Sequence, residues 1–361
     1  VRNVGVYPLA VDPTNSSTIY TTADGVLTKT TDGGAHWADS SVGLSGRWMN
    51  RLVIDPVSPT TVYAGLTPPF GSSSIYKSTD AGAHWTMMLT VGPGPGLRTL
   101  TIAPTQPSTL YIGVNSKGVL KSTDGGASWV ATSNGLTATG PYVSALAVDP
   151  TTADRVYAAT DPTGQPDTPA KIFKSTDGAA HWREVQIGFS LTVEVTSLVV
   201  DPAEPSTVYA VYSDGGDQGQ GGVLKSNDAG ETWTASQNPP MASVQTLVIR
   251  PGSPSQLYAA TSAGVFTSTD GAARWTAINV GLPNVAVSDL SIDQTGSVLR
   301  AATIAGLFEY RFDGSSPATT VPVIEYHHAA FDHYFITSLP AEIAKLDAGG
   351  IAGWSRTGYY F

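Results

Sequence analysis

Few residues of this chain are of a type and placement that could do chemistry. Glu194 and Asp289 are the acids that stand in strand-like text away from the recurrent Asp-Pro pairs. Two carboxyls roughly 5–10 Å apart can act as acid and base, or acid and nucleophile, on a glycosidic bond. Arg47, Trp48, Arg51, Arg98 and Tyr142 form a second set. Aromatic faces beside guanidinium groups, with Glu194 nearby, suit a sugar or a protein segment. The same residues would also satisfy a polar channel mouth, with Trp48 packed under a loop. "HHAAFDH" (His327 to His333) offers His328, Asp332 and His333 to zinc or another transition metal, although the spacing is not the i, i+4 of one helix face. Aromatic packing and hydrogen bonding are the competing uses. "SDGGDQGQGG" places Asp214 and Asp217 in Gly-rich text. Two carboxylates fall short of the oxygens calcium takes, so this stretch reads as a turn. There is no G-x-S-x-G elbow and no phosphate loop, and no cofactor is expected.

The bulk properties narrow the partners. The net charge is -10, and no run of Lys or Arg occurs. Nucleic-acid binding needs a concentrated basic face, so that class is excluded. No apolar run approaches the ~18 residues of a membrane span. The chain has no cysteine, which removes disulfides, thiolate metal sites and cysteine nucleophiles. It starts at Val1, which fits a removed signal peptide or a shortened sequence. Asn15-Ser16-Ser17 matches a glycosylation sequon by chance unless the source is a eukaryote.

The elements that position these residues are repeated. "KSTDGGASW" (Lys121 to Trp129) recurs as near-copies, with aspartates at 32, 80, 124, 177, 228 and 270. Each is followed five residues later by Trp37, Trp85, Trp129, Trp182, Trp233 or Trp275. The spacings are 48, 44, 53, 51 and 42, periods that belong to solenoids and propellers. Upstream of each box lies a second block such as "AVDPTTADRVY", and a seventh copy, "SIDQTGSVLRAAT", begins at Ser291. Each unit reads as four short strands: in the fourth, "SALAVDP", "RVYAAT", "KIFKST" and "HWREVQI". The expected fold is all-β, a seven-bladed β-propeller over 1–314, with a small α+β module over 315–361. Blade 7 is irregular, since no Trp follows Asp313-Gly314. Its outer strand is expected from about residues 315–325, or to be missing.

The box pattern Ser/Thr-x-Asp-x-Gly-x-x-Trp has a physical reading. The carboxylate accepts backbone N–H groups of the following turn, the hydroxyl braces the loop, Gly allows positive φ, and Trp wedges against the neighbouring blade. The pattern resembles the Asp-box, or BNR repeat, of sialidases, sortilin-type receptors, xyloglucan hydrolases and photosystem II assembly factors. The resemblance covers roughly residues 4–314. It implies a structural role for the six boxes, away from any active site. The sialidase signature departs: the "RIP" segment is absent, and seven units exceed that family's six blades. Xyloglucan hydrolases, which the resemblance makes closer, use two facing propellers with one acid from each.

"VPVIEYHHAAFDHYFITSLPAEIAKLDAGGIAGWSRTGYYF" lacks the repeat, and "LPAEIAKLDAGG" reads as a short helix. The stretch is similar to a module found on secreted bacterial proteins, through Asp332, His333, Tyr334, Phe335, Thr337, Glu342, Leu346, Gly350, Gly353, Trp354 and Gly358. That resemblance implies an extracellular, cell-surface or periplasmic location in a bacterium.

From the second-strand Tyr to the box Ser/Thr, blades 1, 3 and 6 run 10, 11 and 10 residues, whereas blades 2, 4 and 5 run 15, 18 and 17. Those longer loops raise one face, and the starts of the inner strands point there. The expected function is therefore binding without catalysis, of a partner protein or extracellular glycan, through Arg47, Trp48, Arg51, Arg98, Tyr142 and Glu194. An oligomer or surface assembly is compatible with this. The alternative is a glycoside hydrolase using Glu194 and Asp289.

Overall fold

A computed structural model describes residues 8–23, 25–46, 48–69, 71–93, 96–136, 142–161, 169–188, 193–213, 221–236, 242–279, 281–282, 286–312, 324–328, 333–337, 346 and 354–360. The chain is a seven-bladed β-propeller. The inner strands are Ala10–Val11, Met49–Ile54, Leu97–Ala103, Tyr142–Val148, Glu194–Val200, Val244–Arg250 and Val287–Ile292. Each is followed outward by its second, third and outer strand in antiparallel order. Six sheets have four strands, and the seventh has three among the described residues. Its third strand, Gly306–Arg311, is the last there. Residues 324 and 325, expected near the outer edge of blade 7, belong instead to Ile324–His328 of a separate sheet. That strand pairs with His333–Thr337 on one side and Trp354–Tyr360 on the other. The expected helix lies outside the described residues, except for Leu346, which is helical and buried.

Strand text sets the blades. The second strands, such as Val62–Leu66 and Val298–Thr303, are buried along their whole length and fill the seams between neighbouring blades. Val143, Leu146, Val156 and Phe173 of blade 4, for example, pack with Ala103, Tyr111 and Val119 of blade 3. The ring closes where Leu9 and Ile19 of blade 1 meet Ala302 of blade 7. The Asp-Pro block ends the inner strand with a carboxylate cap: Asp201 accepts N–H bonds from Ala203 and Glu204 at 2.8 and 3.2 Å, and Asp55 does the same for Val57 and Ser58.

The boxes brace the turns after the third strands. In blade 3, Ser122 Oγ donates to Asp124 Oδ1 at 2.8 Å and accepts the Gly126 N–H at 2.8 Å. Asp124 Oδ1 also accepts the Ser128 N–H at 2.9 Å. These bonds favour the carboxylate, and the Ser128 hydroxyl bond contributes most, so the Asp124 pKa is held down to about 2. In blades 1, 2 and 4 a histidine takes the Ser128 role; His84 Nδ1–H, for one, donates to Asp80 Oδ2 at 2.7 Å. The turn needs left-handed backbone even where Gly is replaced. Ala179 and Ala272 adopt φ of 72° and 75°.

Each box also receives the preceding blade. The second-strand tyrosine and third-strand lysine donate together to a turn carbonyl. Tyr20 and Lys29 both reach Ala81 O at 2.9 Å, and Tyr63 and Lys77 reach Gly125 O at 3.2 and 3.0 Å. The next carbonyl along the turn is buried and has its own donor. Ser40, Thr132 and Ser236, three residues after a box Trp, donate their hydroxyls to Gly82, Ala179 and Ala272 of the next blade. The next Trp then crosses the seam, with Trp85 Nε1 donating to Ser40 O and Trp182 Nε1 to Thr132 O, both at 2.7 Å. Where that residue is Met88 or Val185, Trp129 and Trp233 fold back onto their own Gly126 and Gly230 carbonyls at 3.0 and 3.2 Å.

Blade 7 departs from this scheme. Phe312 stands over Tyr258 with ring centres 5.4 Å apart, and the Arg250 guanidinium lies 4.0 Å from the Phe312 ring. The Tyr258 hydroxyl consequently makes no hydrogen bond among the described residues. At the next seam the Tyr–Lys pair is replaced by Arg300 and Glu309, opposite each other in the ladder.

Candidate functional site

A shared irregularity shapes the channel mouth. The inner strands of blades 2 to 7 shift register against their second strands near the start, between Met49 and Arg51, Leu97 and Thr99, Val143 and Ala145, Val195 and Ser197, Val244 and Thr246, and Val287 and Asp289. A bulge places two residues against one and re-aims side chains. Arg51 and Asp289 occupy the same position just past this bulge, on blades 2 and 7. The bulged residues tie the mouth together: Asn50 Nδ2 donates to Leu97 O of blade 3 at 3.1 Å, and Thr196 Oγ1 donates to Val244 O of blade 6 at 3.1 Å. Asn50 and Thr196 were not singled out from the sequence, because nothing in the text marks a bulge.

Four of the candidate residues gather around the channel. Arg98 Nη1 donates to Glu194 Oε1 at 3.4 Å, and Arg98 Nε to Asn115 Oδ1 at 3.2 Å. Arg51 Nη1 donates to Asn50 O at 2.6 Å. Its surroundings lower its pKa, burial most of all, against the opposing pull of Asp289. Asp289 Oδ2 accepts the Leu9 N–H and Oδ1 the Leu290 N–H, each at 2.9 Å. Protein crowding raises the Asp289 pKa to about 6, although those two N–H bonds and Arg51 pull it down. Asp289 therefore joins blade 7 to blade 1. Its partner Leu9 is 280 residues away in sequence, so this clasp could not be read from text.

Trp48 stands apart from that cluster. Its side chain is 51% exposed, beside the blade 2 loop, where the Thr67 N–H bonds Trp48 O at 2.8 Å. The adjoining dimple, lined by Leu66, Pro68, Ser72, Ser74 and Tyr76, has a volume of about 40 Å³. One water occupies about 30 Å³, so the dimple, which Trp48 also lines, is too small for a ligand. Tyr142 is half-buried at the start of its strand. A broader hollow of about 380 Å³ lies at the outer edge of blade 4, where Lys171 pairs with Glu184 at 2.8 Å.

Arg47, Asp214, Asp217 and Asp332 lie outside the described residues. His328 and His333 face each other in the ladder of the C-terminal sheet, and their side chains lie outside the described features. Among the described residues no group of three metal-ligating side chains forms, and no helix is long and apolar enough to cross a membrane.

This geometry has relatives. Residues 151–321 match the DUF6242 beta propeller domain. No curated protein matches the chain by sequence. Among solved structures, the GH74 xyloglucanase of Xanthomonas campestris aligns with a TM-score of 0.71 at 16% identity, over 87% of this chain and 53% of that one. The GH74 enzyme of Niastella koreensis aligns at 0.69 and 20% identity, over 90% and 55%. The chain thus spans about half the length of those enzymes. YCF48 from Cyanidioschyzon merolae aligns at 0.61 and 14% identity, over 87% of this chain and 98% of that one. A YCF48 bound to D1 peptide aligns at 0.61 and 15%, over 86% and 94%. Identities this low establish a common fold and leave the chemistry to the residues themselves.

Proposed function

We propose that this is a secreted, non-catalytic propeller of the Asp-box type that recognises a partner protein or an extracellular glycan. The binding face is the one that carries the long loops of blades 2, 4 and 5. The observation that carries this reading is the exposed Trp48 indole beside the blade 2 loop. A flat aromatic surface offers much contact area at little conformational cost. Arg98, Glu194 and Tyr142 supply polar groups nearer the channel. A peptide-bound propeller of similar fold and nearly matching length supports a protein ligand. An extracellular or periplasmic bacterial location is proposed with it, supported by the resemblance of the C-terminal module.

The test is a glycan array and a pull-down from the native source, both run with the full chain and with Trp48→Ala. At least tenfold weaker capture by the variant is expected. Undiminished capture would place the binding face elsewhere.

The hydrolase reading keeps one observation in its favour. A carboxyl whose pKa is about 6 is suited to act as a general acid, and GH74 enzymes share the fold. Against it, both Asp289 oxygens are engaged by backbone N–H groups. Polysaccharide cleavage that disappears in both Glu194→Gln and Asp289→Asn would favour this reading over binding alone.

A further inference from the structure

The link from blade 3 to blade 4 carries the chain's single Asn-Gly pair, Asn134-Gly135. Ser133 to Leu136 form a turn, closed by the Leu136 N–H on Ser133 O at 3.0 Å, with Gly135 third in it at φ +90 to +100° like its counterpart Gly43. A positive φ at the third place marks a type II turn. Ser41 to Leu44 make the same turn between blades 1 and 2, with Val42 where Asn134 stands. The turn therefore has no need of a carboxamide. Asn134 is exposed, and neither its side chain nor the Gly135 N–H makes a hydrogen bond among the described residues. Those two groups are the reactants of imide closure, and Gly135 puts no side chain in the way.

The carbonyl of the same peptide is held. Asn134 O accepts the Trp182 N–H at 2.8 Å, and the Trp182 indole is fixed on Thr132 O at 2.7 Å. A type II turn sets ψ of its second residue at roughly +120°, which points the Gly135 nitrogen away from the Asn134 side chain. Closure needs that peptide to rotate, and rotation breaks the bond to Trp182.

We propose that Asn134 is a site of spontaneous modification, deamidation through an imide, gated by release of the Trp182 N–H. The Gly135 nitrogen gives up its proton and bonds Asn134 Cγ. The carboxamide C–N bond breaks, and its nitrogen leaves as ammonia with that proton. Water then opens the imide. Attack at Cγ leaves aspartate at position 134. Attack at the main-chain carbonyl leaves isoaspartate, whose backbone runs on through Cβ and Cγ. The lengthened link displaces the carbonyl that held Trp182, so the seam between blades 3 and 4 does not reclose as before.

The experiment ages the full chain at mildly alkaline pH, folded and in urea, and maps peptides for aspartate and isoaspartate at position 134. Conversion of the folded chain is expected, at least about tenfold slower than in urea, since only the opened link reacts. Trp182→Phe, which lacks the indole bond to Thr132 O, should close most of that gap. If it does not fold, the ratio of folded to urea rates in the unmodified chain still decides. Asn134→Val, which copies the Val42 link, should keep its urea midpoint on ageing, whereas that of the unmodified chain falls. The proposal is overturned if the folded chain never converts, if it converts as fast as in urea, or if Asn134→Val loses midpoint on ageing as the unmodified chain does.

Discussion

At the scale of single residues, the accounting of buried carbonyls decides where each box tryptophan points. Gly82, Gly126, Ala179, Gly230 and Ala272 are all buried, and a buried carbonyl takes a donor. A hydroxyl from the preceding blade supplies it at three seams, and the indole of the box itself at two. The residue three beyond the preceding Trp is therefore a selector. Ser40→Val should turn the Trp85 indole from Ser40 O onto Gly82 O, as Trp129 turns onto Gly126 O. The loss of the cross-seam bonds should cost about 1 kcal/mol. Met88→Thr should drive Trp129 the other way. Crystal structures of the two variants check both; an indole of Trp85 still bound across the seam in Ser40→Val would show that packing, and not the carbonyl, sets its direction. The selector was present in the sequence as Ser, Thr and Ser against Met and Val. It had no meaning there until the acceptor was located.

At the scale of elements, the links between blades are as exacting as the strands. Gly43 and Gly135 both adopt φ of +95°, and an added Cβ would lie 2.3 Å from Trp85 O and 2.1 Å from Trp182 O. The Trp85 N–H and Trp182 N–H bond Val42 O and Asn134 O in these same links, at 2.9 and 2.8 Å. Gly43→Ala should therefore combine left-handed strain with a backbone clash and cost more than about 2 kcal/mol. Gly188→Ala, at φ +80° with nothing within 4 Å, should cost only about 1 kcal/mol of strain. Urea midpoints of the two variants give the comparison; equal losses would remove the clash from the explanation. Strands were legible because Asp-Pro stops them and alternation fills them. "RVYAAT" and "KIFKST" predict Val156–Asp161 and Lys171–Ser175 within a residue or two. The bulges that aim Arg51 and Asp289 were not legible, since register depends on the partner strand.

At the scale of the whole molecule, the ring is a cycle whose last contact joins distant ends of the chain. The candidate site was legible as a set of positions on one face. Their roles were not, because Asp289 meets Leu9 only after seven blades have closed. That closure has a pH signature opposite to that of the boxes. The Asp289 pKa is raised to about 6, above the ~3.9 of an unfolded chain. Between those values the folded ring holds a proton that the unfolded chain has released, so stability falls as pH rises through the window and levels off above it. The box aspartates have lowered pKa values, so their contribution is complete above about pH 4 and is lost as pH falls further. The two trends place the stability maximum near pH 4–5 rather than at neutrality. Urea midpoints at pH 4.5 and 7 should show the wild-type chain more resistant at pH 4.5. Asp289→Asn keeps an oxygen for the Leu9 N–H and should fold, with nearly equal midpoints at the two values. If the variant retains the wild-type difference, the titrating group lies elsewhere, and Asp289 is a clasp indifferent to its own charge.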